Sequence, residues 1–369
     1  TIAYTYGGMF DFAGPAQSAL RAWFGWTRND YWFPPVRSLG GAITILSLVL
    51  FPYVYMLTRA AFVEQSVCAL EVGRSLGAGP WRGFWRIALP LARPAIVTGV
   101  ALALMETLGD FGAVQYLAVD TFTTGIFRTW YGLGNLTAAA QLSAILLGFV
   151  FAVMVLERLS RGGKRYHHTS GRYRPLPRYP LRGVRSGGAV IVCVLPIFLG
   201  FLLPVGQLVG WAVQTAPIMS NTSVVRLAAN SIGLALLAAV FSVAVAVVLA
   251  WAVRMSPGVL VRIATRMASL GYAVPGAVVA VGVLVPLAWF DNVLDAWMRD
   301  VFDVSTGLLL SGTVVALLFA YLVRFLAISI NAVESSLSRV TPNMERSART
   351  LGHRPGSVLQ RVHAPLMLG

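Results

Sequence analysis

Apolar positions in this chain come in long unbroken runs, not at the intervals that give a soluble strand or helix one greasy face. Seven runs, at 41–60, 94–119, 138–157, 187–214, 228–253, 268–290 and 306–330, reach about the 20 residues a helix needs to cross a bilayer core. Barrel strands would alternate with period two, and these runs do not. The pattern predicts an all-α polytopic membrane protein with about seven transmembrane helices.

The polar segments between the runs sort by charge, and each span must flip the side of the next segment. Segments 61–93, 157–185, 254–267 and 331–363 share one side and carry Arg74, Arg82, Arg86, the dense run from Arg158 to Arg185, Arg262, Arg266 and Arg339. Basic loops are retained on the cytoplasmic side during insertion, so these face the cytoplasm. Segment 291–305 holds Asp291, Asp295, Asp300 and Asp303 against Arg299, and 120–137 is nearly neutral; both are external. The first forty residues, with Trp23, Trp26, Tyr31, Trp32 and Phe33, read as an external segment. Its aromatics either sit at the membrane interface or pack loosely in a loop.

Composition agrees with this reading. Charged residues make up 12% of the chain, half of what a soluble domain carries, and mean hydropathy is +0.72. The net charge of +15 lies in short loops, which excludes a nucleic-acid-binding face. The stretch from Arg158 to Arg185 also contains Gly162, Gly163, Pro175, Pro177 and Pro180 and reads as a linker with affinity for anionic lipid. His167 and His168 within it, and Cys68 and Cys193 elsewhere, have no partners at metal-ligand spacing. No phosphate-binding loop occurs, since Gly162-Gly-Lys164 lacks the first glycine and the Ser or Thr; the chain has no ATP site of its own.

The most informative feature is a repeat of two cytoplasmic loops at an offset of 275 residues. The first reads Glu71-Val-Gly-Arg74-Ser-Leu-Gly77-Ala-Gly-Pro80 and, after Arg86, Ile87-Ala-Leu89-Pro90-Leu91. The second reads Arg346-Ser-Ala-Arg349-Thr-Leu-Gly352-His-Arg-Pro355 and, after Arg361, Val362-His-Ala-Pro365-Leu366. A helix ending at a glycine, a turn and a second short helix ending before a proline make a rigid elbow suited to a partner's groove. An interfacial helix lying on lipid would not need the same Gly and Pro register twice.

The first loop resembles the signature of ABC importer permeases: E-A-A, a glycine six positions past its Glu, then I-x-L-P. Glu71, Gly77, Ile87, Leu89 and Pro90 stand where it expects them. Val72 and Gly73 depart from its alanines, and Arg346 replaces the acidic residue in the second copy. The resemblance implies that Glu71, Arg74, Gly77, Ile87, Leu89, Pro90, Arg346, Arg349, Gly352, Val362 and Pro365 form coupling loops on ATPase subunits, two in number. Arg346 then makes the two contacts unequal. No cofactor belongs to this chain; ATP and Mg are held by the partner ATPase, and a periplasmic binding protein delivers the solute.

Two loops in one chain are similar to the fused, two-half permeases. Within that group Phe51-Pro-Tyr-Val-Tyr, Leu108-Gly-Asp-Phe-Gly112 and Thr121-Phe-Thr-Thr-Gly-Ile-Phe127 look most like ferric-iron permeases, with thiamine, phosphonate and other small-solute permeases sharing the architecture. The implied fold is two tandem parallel repeats of a six-helix permease domain, truncated at both ends, in the bacterial inner membrane. Residues 1–160 would be the end of the first half, 161–186 the basic linker, and 187–369 the beginning of the second.

Candidate substrate-path residues follow from charge inside spans. Glu106 and Asp110 are spaced as an i,i+4 pair in 94–119, and a carboxylate there costs roughly 2.5–3.5 kcal/mol unless it faces a cavity or partner. Paired oxygen ligands suit a hard metal cation. The same pair could instead be structural, held by an arginine, and Arg324 in 306–330 is the candidate counter-ion. Asp291 and Asp295 either attract cations at the external mouth or are solvated loop carboxylates. An ion-coupled secondary transporter is the first alternative, but it would call for inverted repeats, whereas both loops here lie on one side. An integral-membrane enzyme using Glu106 and Asp110 as acid and base is the second, and gives no reason for duplicated loops.

Overall fold

A computed structural model describes residues 1–63, 65, 67–161, 180–215, 221–255 and 258–338, and further along 344, 347, 348, 350–352 and 355–358. Every regular element among the described residues is helical. Seven helices are long and apolar enough to cross a membrane: Leu39–Val63, Pro80–Gly109, Leu136–Ser160, Val184–Thr215, Val224–Met255, Gly276–Phe302 and Val314–Leu337. By contacts the chain divides into two units, Thr1–Ile218 and Met219–Gly369. The first therefore takes in the span 184–215, beyond the basic linker expected at 161–186.

In the first unit, α1 (Ile2–Phe10) and α2 (Pro15–Phe24) precede α3 (Leu39–Val63), α4 (Val67–Ser75) and α5 (Pro80–Gly83). A π turn, Phe84–Ala88, leads into α6 (Leu89–Gly109). Then come α7 (Gly112–Tyr116), α8 (Phe122–Phe127), a second π turn at Arg128–Gly132, and α9 (Leu136–Arg161). The last span of this unit is α10 (Val184–Ile197) and α11 (Leu203–Thr215), joined by a third π turn at Phe198–Leu202.

Helices in lipid gain little from apolar contact as such and associate through close packing of small residues. Gly99 brings α6 onto α3, where a Cβ would stand 2.7 Å from the Val54 Cα. Ala92 of α6 and Ala139 of α9 are fully buried, and Thr98 Oγ1 donates to Glu157 Oε1 at 3.0 Å across the same pair. Ala3 and Tyr6 of α1 pack with Ala42, Ile45 and Leu117. The Tyr6 hydroxyl donates to the Leu199 carbonyl. In i→i−5 pairing that carbonyl would be served by residue 204, a proline without an N–H, so Tyr6 supplies the missing donor.

Within the first forty residues, the segment 11–38 is held by internal contacts and is not a loosely packed loop. Gln17 Nε2 donates to Phe10 O at 2.8 Å, Tyr31 Oη donates to Gln17 Oε1 at 2.8 Å, and Arg21 donates to Tyr31 at 2.9 Å while lying over Phe12. Trp26 stacks between Phe24 and Tyr31, while Trp23 and Trp32 remain exposed.

The second unit contains α12 (Asn221–Met255), α13 (Val259–Ala268), a 3-10 turn at Gly271–Ala273, α14 (Gly276–Phe302), α15 (Val314–Ser338) and the short α16 (Pro355–Val358). Its core is Ala246 and Ala250 of α12 against Leu326, Ile330 and Val333 of α15. Arg254 Nη1 donates to Leu337 O at 2.9 Å, a cation satisfying a carbonyl at the end of α15.

Three span boundaries differ from those expected. The second span ends at Gly109, not 119, because Asp110 turns the chain. The sixth runs 276–302 instead of 268–290, since Pro275 precedes its first turn, and the seventh starts at Val314. Hydropathy placed the sixth too early because 269–275 is apolar yet turned, and because Asp291 and Asp295 lie inside the helix. Asp291 is fully buried; it accepts from Leu310 N at 3.1 Å and from Ser311 N and Oγ at 2.7 Å. Asp295 accepts from Ser305 Oγ, Thr306 N and Gly307 N and pairs with Arg299 at 2.6 Å. Both carboxylates staple the loop 304–313 onto α14. Asp291→Ala should strand two N–H donors, cost about 1–3 kcal/mol and lower the midpoint in a thermal melt of the detergent-solubilised protein, whereas Asp300→Ala should not.

Candidate functional site

The first of the two repeated loops is built as an elbow, in which Gly77, Pro80 and Ile87 each have a structural task. α4 closes with a Schellman turn: Ala78 N donates to Gly73 O and Gly77 N to Arg74 O, both at 2.9 Å, with Gly77 at φ 80°. Two of the helix's orphan carbonyls are thereby satisfied, which requires a residue content in the left-handed region. Pro80 then opens α5 at its first turn, where its missing N–H loses nothing. Gly73, one of the departures from the alanine pattern, is buried, and any side chain there would run into Ile87 Cδ1. The glycine lets Ile87 seat on the α4 backbone and lock the two arms together.

What the elbow presents outward is aromatic and basic. Trp81 is 77% exposed and Trp85 62%, flanked by exposed Arg82 and Arg86, with Leu76 at the tip; Glu71 and Arg74 are exposed on α4. Leu89 is half-buried and Pro90 exposed where α6 begins. The Trp rings stand on Phe84, at centroid distances of 6.5 and 5.4 Å, and Phe84 rests on Phe62 at 6.0 Å.

The second loop repeats this geometry wherever it is described. Gly352 has φ 82° against 80° for Gly77, and Leu351 N donates to Ser347 O at 3.1 Å as Leu76 N does to Val72 O. Thr350 Oγ1 bonds Ser347 O at 2.8 Å as Ser75 Oγ bonds Val72 O, and α16 opens at Pro355 as α5 opens at Pro80. Arg346, Arg349, Val362 and Pro365 lie outside the described residues.

At the other end of α6, Glu106 lies within the helix and Asp110 just beyond its last residue. α6 ends at Gly109, and Asp110 is extended at φ −71°, ψ 132°. Its Oδ1 accepts from Ala113 N at 2.8 Å and Val114 N at 3.2 Å, and its carbonyl accepts from the buried Thr123 hydroxyl at 2.6 Å. Asp110 thus satisfies free N–H groups in the first turn of α7 from the position just before its N-cap, Phe111, a role hidden by the apolar sequence around it. Glu106 stays half-buried on α6. No group of three or more His, Cys, Asp or Glu that could hold a metal occurs among the described residues. Thr121 and Thr124 form a reciprocal capping box at α8, and Phe111 stacks on Phe127 at 3.9 Å. The two motifs read as family-like therefore fold into one joint, beside a pocket of about 640 Å³ lined by Phe111, Gln115, Asp120, Phe127, Arg128 and Tyr131. Asp110→Asn keeps an acceptor for the α7 N–H groups and should leave the thermal-melt midpoint of the detergent-solubilised protein near wild type, while Asp110→Ala should lower it, a difference of about 1 kcal/mol in stability.

Arg324 of α15 lies beside the start of α14, its guanidinium within reach of Gly276. It sits 5.9 Å from the Phe325 ring, and its buried Nε has no acceptor among the described residues. Glu106 and Asp110 belong to the first unit and Arg324 to the second.

Residues 22–162, from α2 through the elbow to the end of α9, match the model of the family described as the binding-protein-dependent transport system inner membrane component. This stretch is a binding-protein-dependent transport permease domain. Over 340 residues the chain is 27% identical to an Fe(3+)-transport system permease protein of Haemophilus influenzae, covering 90% of this chain and 63% of that protein. A molybdenum transport system permease protein of Escherichia coli is 37% identical over 149 residues, 38% of this chain and 62% of its own. A probable sulfate transport system permease protein of Chlorokybus atmophyticus is 41% identical over 78 residues, 21% of this chain and 27% of its own. No solved structure matches. The chain thus spans less than two thirds of the length of these relatives. With seven membrane-length helices, the permease is a multi-pass protein of the bacterial inner membrane.

Proposed function

We propose that this chain is the membrane subunit of an ATP-driven importer, taking solute from an external binding protein and driven by two copies of a separate ATPase seated on its cytoplasmic elbows. The observation that carries this reading is the shared Gly77 and Gly352 geometry, each followed three residues on by a helix-opening proline. A motor must push on something stiff, and the first elbow is stiff: it is closed by the Schellman turn, the Ile87 seat and the Phe62–Phe84 contact, and it is continuous with α3 and α6. Displacement of its tip is therefore passed to two membrane helices that pack backbone to backbone at Gly99.

Ferric iron is the solute this reading favours, because the relative matched over most of the chain is named for Fe(3+) transport. A second reading, an oxyanion such as molybdate or sulfate, draws on the more identical but shorter matches. The test is uptake into vesicles holding the complete permease with its ATPase and binding protein. Ferric iron entry that depends on ATP and resists competition by molybdate and sulfate supports the first solute, and the reverse competition supports the second. ATP-independent entry along an ion gradient would overturn the importer reading altogether.

A further inference from the structure

Gln65 is a polar residue nine-tenths buried at the point where α3 gives way to α4, and none of the sequence features of the elbow accounts for it. Its Nε2 donates to the Ala88 carbonyl at 2.7 Å, joining positions 23 residues apart. Ala88 is the last residue of the π turn that leads into α6, and it too is buried. We infer that Gln65 is a positioning residue: its amide clamps the root of α3 to the root of α6, so that the first elbow and both helices move as one body. This rests on the reading of the elbow as the ATPase-docking element.

The contacts described across the base of the elbow are not equivalent. Phe62 on Phe84 and Ile87 on Gly73 are apolar packing, which stiffens the elbow without the directionality of a hydrogen bond. The Gln65 bond is directional, and in a buried site its loss leaves a polar group without water to replace the partner. Among these described contacts, the hydrogen bond is the one that fixes register. Gln65 also sits two residues past the end of α3, with its own N–H on Phe62 O at 3.4 Å, so a pull on Ala88 is delivered to the α3 terminus. In the second loop, the position matched at the same offset is Val340, whose side chain has no donor. By sequence, then, the two loops differ at this position as well as in the Glu71 and Arg346 exchange.

The test uses the complete permease with its ATPase and binding protein in vesicles, comparing wild type with Gln65→Met, which keeps length and apolar stem but removes the donor. The expected result is retained ATPase binding and ATP hydrolysis with about a tenfold fall in solute moved per ATP, the factor that one lost buried hydrogen bond carries. A wild-type ratio in Gln65→Met, with the ATPase bound, overturns the clamp while leaving the docking reading intact. Failure of the wild-type permease to bind ATPase would overturn the docking reading instead. Should Gln65→Met not assemble, amide exchange on the wild-type complex decides: segments 62–66 and 86–90 should open at one common rate, and rates more than about tenfold apart would exclude a shared clamp.

Discussion

Gly77→Val should give a permease that inserts and accumulates but imports less than about a tenth of the wild-type amount, with its ATPase recovered poorly on co-purification. The residue holds φ 80°, a conformation that costs an ordinary L-residue roughly 1–2 kcal/mol and a β-branched one more. If valine forces φ negative, Gly73 O and Arg74 O lose their partners, Pro80 no longer begins α5 in place, and Trp81 and Trp85 swing away. The expected order of damage, Asn below Ala below Val, is itself diagnostic, because asparagine tolerates the left-handed region best of the three. Gly352→Val should act in the same way on the second loop. Full uptake by Gly77→Val would show that the shape of the turn is not what the motor reads.

How much of this could be read from the chain depends on which force set each element. The membrane helices were legible because the bilayer demands a length and a polarity that composition alone reveals, and the elbow because glycine and proline are the residues that conformation, not packing, selects. The ends of helices were read less well. Asp110, Asp291 and Asp295 were weighed as charges in or near a membrane, whereas the structure uses each carboxylate to hold backbone N–H groups, Asp110 those of the following turn and Asp291 and Asp295 those of the loop 304–313. A carboxylate that holds backbone N–H groups and one that meets a solute have the same sequence signature when both lie in apolar surroundings. The spacing of Glu106 and Asp110 was read as helical because nothing in Leu108-Gly-Asp-Phe-Gly112 announces that the helix stops at Gly109.

The contacts that stiffen the first elbow were the least visible. Gly73 looked like a departure from pattern until Ile87 was seen to fill the space, and Gln65 carries no motif at all. Both matter through residues more than ten positions away, a relation that periodicity does not record. The same holds for Tyr6, which repairs a carbonyl left open by Pro204 across nearly two hundred residues. Long-range polar repair of this kind is expected wherever a helix is interrupted inside lipid, because no water is present to do it.

The second large effect concerns the face of the elbow. Trp81→Ala combined with Trp85→Ala should weaken ATPase binding to the permease in nanodiscs by two orders of magnitude or more, as about 2–4 kcal/mol is typical for each buried aromatic anchor. The two rings are exposed at 77% and 62% in the chain by itself, yet they are held on Phe84 and so lose little freedom when covered. Arg82 and Arg86 between them call for an acidic rim on the partner. Replacing both by Gln should slow association and flatten its dependence on salt while leaving dissociation nearly unchanged. That separation of effects distinguishes a protein groove from a lipid surface. Aromatics anchored in headgroups would leave ATPase affinity unchanged when removed, and an unchanged affinity in the double alanine variant would place this face of the elbow in lipid.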